Sequence, residues 1–314
     1  MPRHQIRHGL NLESLEARQM MAGDVSAYAI SKILYINGDA AGNGIALVGG
    51  VDGSINVMGI SQDGSATTIN GGVSQEFTKI KDVVISMDKG DDAVVITDIA
   101  LNGNLYVAGG KDNDVVALGE FADTGLIDDA VDALLGAVTV KKSAIIDTSD
   151  GDDTVLARAV TVSKSLVVST GIGDDAVIFD SAGGVGDPGV TVLKTATITT
   201  SNGNDLVSLT ELSVSKTLTI STGNDDDTVL LDGVTVSKTL SISTGSGNDL
   251  VELTETTAKS LTVRMGNDND DFLVQDTTIA KKSKIDGDQD INTYADLGGN
   301  SLGKLTRKNF QTII

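Results

Sequence analysis

The 314-residue chain has no cysteine, no tryptophan and only two prolines. Without thiols it has no disulfides, no thiolate metal sites and no cysteine nucleophile. Its two histidines, His4 and His8, both fall within the first ten residues. The rest of the chain therefore has no imidazole, which excludes Ser-His-Asp catalysis and histidine-ligated metals from it. Aromatic residues make up 3%, so a core must be built from Val, Ile, Leu and Ala. No apolar run approaches the roughly 18 residues of a membrane helix, and no membrane span is expected. Basic residues are also short, 23 against 44 acidic, for a formal net charge of −21. An electrostatically driven nucleic-acid partner is therefore not expected. The acidic balance suits cations or basic partners, and it favours solubility.

What the chain has in quantity is glycine, 36 residues of it, and a phrase that recurs. STGIGDDAVIF at 169–179 returns as SNGNDLVSL at 201–209 and as TGSGNDLVEL at 244–253. Taking the aspartate two residues before the first inward Val or Phe of each run gives Asp92, Asp114, Asp153, Asp175, Asp205, Asp227, Asp249 and Asp270. Successive gaps are 22, 39, 22, 30, 22, 22 and 21 residues, the long ones being one period plus an insertion. A fixed period interrupted by insertions is the mark of a solenoid.

Within a period the polarity alternates every second residue, as strands require. In 211–231 the inward set is Leu212, Val214, Leu218, Ile220, Val229 and Leu231; the next period repeats it as Val234, Val236, Leu240, Ile242, Val251 and Leu253. The expected fold is all-β: a right-handed parallel β-helix of about 22 residues and three strands per coil, stacked at about 4.8 Å. Residues 81–290 form the repeats, with insertions at about 122–137 and 181–189. Residues 24–80 read as an N-terminal cap with a first irregular coil and a hairpin at 52–57, and 291–314 as a C-terminal cap. The first insertion carries an apolar face at helical spacing (Leu126, Ile127, Ala130, Val131, Leu134, Leu135), expected to pack back on the solenoid. The second reads as a loop.

Stacking would bring the eight aspartates into one column about 4.8 Å apart, where neighbouring charges repel by roughly 1 kcal/mol in water and about 3–4 at an effective dielectric near 20. Several coils add a second carboxylate (Asp91, Asp152, Asp174, Asp226), and others a neutral Asn (Asn113, Asn204, Asn248, Asn269). Two readings are open. The corner is either a solvated turn whose Asp, Asn and Gly tolerate left-handed backbone, or a file of calcium sites built from carboxylates and turn carbonyls. TGIGDDAVI (170–178) resembles the nonapeptide of RTX-type calcium-binding β-rolls, matching at Gly171, Gly173, Asp175 and Val177; TGSGNDLVE (244–252) matches at Gly245, Gly247, Asp249 and Val251. That resemblance implies calcium, with the eight aspartates as side-chain ligands. The chain departs from the pattern in having one nonapeptide per 22 residues, and Asp112, Asp225 and Asp268 stand where the last glycine should be.

The first 23 residues differ from the rest of the chain. They hold Arg3, Arg7, Arg18 and both histidines, and they lack the apolar core of a signal peptide. LESLEARQMMAGDV resembles the short N-terminal motif of many large exported proteins of planctomycete bacteria. The resemblance implies export to the cell surface or exterior, with the segment removed near Ala22. A corner column of lysines (Lys142, Lys164, Lys194, Lys216, Lys238, Lys259) reads as a solvated edge that balances the acidic one, or as a cationic stripe for an anionic glycan. The expected function is a non-catalytic, exported structural or cell-surface interaction protein, with calcium and a cell-surface glycan or protein as partners. The alternative is a glycan-acting lyase or hydrolase on the same fold. Only Arg158, Arg264 and Arg307 supply arginine outside the first segment, aromatics are scattered, and the carboxylates are too many to single out a catalytic pair.

Overall fold

The structure is a computed structural model, and it describes residues 23–62, 65–120, 136–181 and 189–314. Residues 1–22, where a targeting segment is expected, the helical expectation at 124–135 and most of the 181–189 loop lie outside the described residues.

The repeat folds as its alternation dictates. One coil runs through the short strand Val160–Val162, the long strand Leu166–Ile172 and the strand Ala176–Phe179. Each pairs in parallel and in register with its counterpart one period on. Val, Ile and Thr suit these strands because their branched Cβ packs well on a pleated surface. Short and long strands of successive coils join one 18-stranded sheet, and the third strands join a sheet of 14. The architecture is a parallel β-solenoid.

Stacking turns each inward position into a file. Leu101, Val140, Val162, Val192, Val214, Val236, Ala258 and Ile279 follow one another in register. Val116, Val155, Val177, Val207, Val229, Val251, Phe272 and Tyr294 make another. All are at most 2% exposed. They belong to one continuous core cluster. Burying each such side chain contributes about 1.5–3 kcal/mol, so the core is a column of small gains repeated along the axis.

Both ends are closed by departures from the repeat. At the start, Asp24–Ile30 pairs antiparallel with Ile33–Asn37, and Gly44–Gly49 forms a hairpin with Ile55–Gln62. Ile33–Asn37 and Gly44–Gly49 then lie parallel on the first regular coil. At the far end, Lys304–Lys308 and Thr312–Ile313 lay two last strands on the stack. Three aromatics meet there: Phe272 stacks on Tyr294 at 5.7 Å, Phe310 meets Tyr294 edge-on at 5.9 Å, and the Arg307 guanidinium sits 4.3 Å over the Tyr294 ring. Flat rings and a cation suit an end where no further coil supplies aliphatic partners.

Candidate functional site: a buried carboxylate ladder

The eight repeat aspartates come together as one file at the corner between the long strand and the third strand. They are buried, at 0–2% exposure. This overturns the solvated-turn reading for these positions. The reason is alternation: each aspartate stands two residues before an inward Val or Phe and so shares its face.

At this corner the strand ladder breaks, and backbone N–H groups lose their sheet partners. The carboxylates replace them. The N–H of Asp92 donates to Oδ1 of Asp114, one coil on, at 2.9 Å. Asp114 donates to Asp153 at 2.7 Å, Asp153 to Asp175 at 2.9 Å and Asp175 to Asp205 at 2.9 Å. Asp205 donates to Asp227 and Asp227 to Asp249, both at 2.9 Å, and Asp249 to Asp270 at 3.1 Å. Asparagines close the series. The N–H of Asn43 donates to Asp92 Oδ1 at 2.6 Å, and Asp270 N–H donates to Asn292 Oδ1 at 2.7 Å. These two caps were missed in the sequence. Their signal was present, since Asn43 and Asn292 stand two residues before the inward Ile45 and Tyr294.

A second, exposed file runs alongside with the opposite polarity. Asp174 N–H donates back to Asp152 Oδ1 at 2.9 Å, Asn204 N–H to Asp174 at 2.7 Å and Asp226 N–H to Asn204 at 3.1 Å. Its asparagines also give side-chain N–H: Asn204 Nδ2 reaches Asp174 at 3.2 Å and Asn248 Nδ2 reaches Asp226 at 3.1 Å. Mixed Asp and Asn thus relieve like-charge contact on the outside. The turn before the ladder needs left-handed backbone. Gly173 meets this with φ 143° while Asp112, Asp225 and Asp268 sit at 74–78°, a region Asp tolerates better than most residues.

The inner file has no such dilution. Each aspartate spends Oδ1 on an N–H and keeps Oδ2 buried without a hydrogen-bond partner. Burial, the largest cause, pushes these carboxyls far above the ordinary carboxylate range. Asp92 and Asp114 reach about 8, Asp175, Asp227 and Asp270 about 7, and Asp249 about 6; Asp153 and Asp205 are also raised. Neighbouring aspartates in the file push the same way, and the backbone N–H donors oppose it. An inward threonine stands in five coils: Thr148, Thr170, Thr200, Thr222 and Thr244. Four of them already donate their proton to the next coil's carbonyl, from 2.7 Å at Thr244 to 3.4 Å at Thr148 and Thr222. Such a hydroxyl has only acceptor capacity left for Oδ2, so the pairing is complete when the carboxyl holds a proton.

Calcium takes roughly six to eight oxygens converging from several directions. The inner file offers one free oxygen per coil, in a line. Among the described residues no group of three or more His, Cys, Asp or Glu is placed to hold a metal ion. A cation would have to enlist the orphaned Oδ2 atoms together with threonine hydroxyls and turn carbonyls.

Comparison with known proteins gives no matching family, no matching curated sequence and no matching solved structure. No helix among the described residues is long and apolar enough to cross a membrane.

Proposed function

We propose that this chain is a non-catalytic, exported structural or cell-surface interaction module, a rod stiffened from end to end by carboxylates. One observation carries the reading. The eight acidic residues that recur most faithfully are bound to backbone N–H groups of neighbouring coils, so their repetition serves the rod. The exposed lysines and hydroxylic residues of the coil faces are what a partner would meet. The resemblance of the N-terminal segment supports export. The test is fractionation of the producing cells with an antibody against residues 23–314, combined with protease shaving of intact cells. Surface or medium location, with loss on shaving, is the expected result; confinement to the cytosol sinks the reading. Release of reducing or unsaturated ends from a polyuronate by the full chain would move it to the glycan-acting alternative.

The ladder's charge is neutralised by protons on the buried Oδ2 atoms. The threonine relay supports this. Calcium is the second reading, favoured by the eight Oδ2 atoms that lack partners and by the nonapeptide resemblance.

A further inference from the structure

The last three coils carry a face unlike the rest of the molecule. On the outer side of the large sheet, Thr257–Asn267, Thr278–Asp286 and Lys304–Lys308 lie side by side in register. Three columns of outward residues result from that register. They read Ser260, Lys282, Lys304; then Thr262, Lys284, Thr306; then Arg264, Asp286, Lys308. Five cations, three hydroxyls and one carboxylate therefore share a grid spaced about 4.8 Å across strands and about 6.6 Å along them. All five cationic side chains are exposed. The sole carboxylate, Asp286, accepts from Asn309 Nδ2 at 2.7 Å and from the N–H of Asp288 at 3.3 Å. The ion pairs formed among the described residues, Lys81–Asp82 and Arg158–Asp180, lie elsewhere. A shallow depression of about 250 Å³ opens between Arg264, Lys284 and Lys308.

We propose that this face binds an acidic polysaccharide, a sugar chain bearing carboxylate or sulfate groups. The chemistry is charge complementarity: cation and hydroxyl alternate along Lys304, Thr306 and Lys308 and across Thr262, Lys284 and Thr306, so that a ligand presenting anions beside hydroxyls meets partners on both lines. The net charge of −21 opposes any polyanion at long range. At physiological ionic strength, however, fields are screened beyond about 8 Å, and the local face decides. A single-stranded nucleic acid fits less well, because such strands rely on base stacking and the nine outward positions hold no ring. The inference rests on the reading of the chain as an interaction module.

The test uses the full chain against immobilised dextran sulfate and polygalacturonate, with neutral dextran and a single-stranded oligonucleotide as comparisons. Binding to either acidic polysaccharide is expected at about 0.05 M NaCl and lost by about 0.5 M; which of the two is retained assigns sulfate or carboxylate. The variant Lys282→Glu, Lys284→Glu, Lys304→Glu, Lys308→Glu should bind at least about tenfold more weakly, with an unchanged melting midpoint. The corresponding Lys→Gln set should weaken binding less. Reversing four lysines of the remote corner column (Lys164, Lys194, Lys216, Lys238) should leave binding within about twofold of the unmodified chain. No binding to either polymer, equal loss in the remote variant, or equal retention of the oligonucleotide overturns the proposal. So does self-association, seen by sedimentation, that the first variant abolishes, since that assigns the face to a second copy. Lack of binding with surface location intact rejects this face alone.

Discussion

Asp174 and Asp175 are adjacent in the chain and are served by opposite neighbours: Asp174 N–H donates to Asp152 in the coil before, and Asp175 N–H to Asp205 in the coil after. One residue faces out and the other in, so a single dipeptide bonds to both flanking coils. Repeated along the axis, this makes two counter-running side-chain ladders at a corner where the sheets cannot supply hydrogen bonds.

The inner ladder needs an acceptor more than it needs a charge. Asp205→Asn keeps Oδ1 for the Asp175 N–H and removes a buried carboxyl, as Asn43 and Asn292 already do at the ends. It is expected to match or exceed the parent in stability at about pH 8. Asp205→Ala strands that N–H and should cost about 1–3 kcal/mol. Urea unfolding of both variants checks this, and equal losses would show that charge rather than the acceptor matters.

Stability should rise on mild acidification. Six of the ladder carboxyls have folded values raised from 3.8 to about 6, 7 or 8, and Asp153 and Asp205 are raised too, so the folded state binds more protons than the unfolded one across that window. Linkage then makes stability fall as pH rises from about 4 to about 8. Hydrogen bonds from Thr68 and Ser54 hold Asp24 and Asp52 below their ordinary value, the opposite sign, with effect only near and below that value. The midpoint of thermal unfolding should therefore be higher at about pH 5 than at about pH 8. A midpoint that climbs steadily to pH 8 would show the ladder to be ionised and otherwise compensated.

Calcium and protons compete for the same oxygens. On the calcium reading, about 10 mM calcium raises the midpoint by several degrees at about pH 8 and by less at about pH 5. A midpoint indifferent to calcium and to EDTA at both values removes calcium and leaves protons.

Gly173 has no room for a side chain at its own φ, unlike Asp112, Asp225 and Asp268 at 74–78° in the equivalent position. Its φ is 143°, and an added Cβ would run into the carbonyl oxygen of Gly151 in the coil before. Gly173→Ala is expected to cost about 1–3 kcal/mol or more, read by chemical denaturation. A neutral outcome would mean that the corner adjusts its backbone freely.

The period and the alternation of apolar residues were enough to read the solenoid, because parallel stacking converts equal spacing into vertical files. The inward set of 211–253 is buried as the alternation required. The same alternation placed Asp175 on the face of Val177, yet a glycine-rich acidic corner reads as solvent-exposed by composition, and composition misleads there. What the sequence could not show is which atom of the next coil each carboxylate would meet. That depends on the axial offset between coils, set jointly by two sheets, and this offset brings Oδ1 of one coil to the N–H of the one before.

The basic face is also a product of stacking. Arg264, Lys284 and Lys308 are about twenty residues apart in the chain and become neighbours only because the last strands lie in register. Spacing along the sequence thus determined the files and the fold. The tertiary structure decided which polar groups are buried, what they bond to and where the cations gather, since those outcomes turn on distances between coils rather than within them.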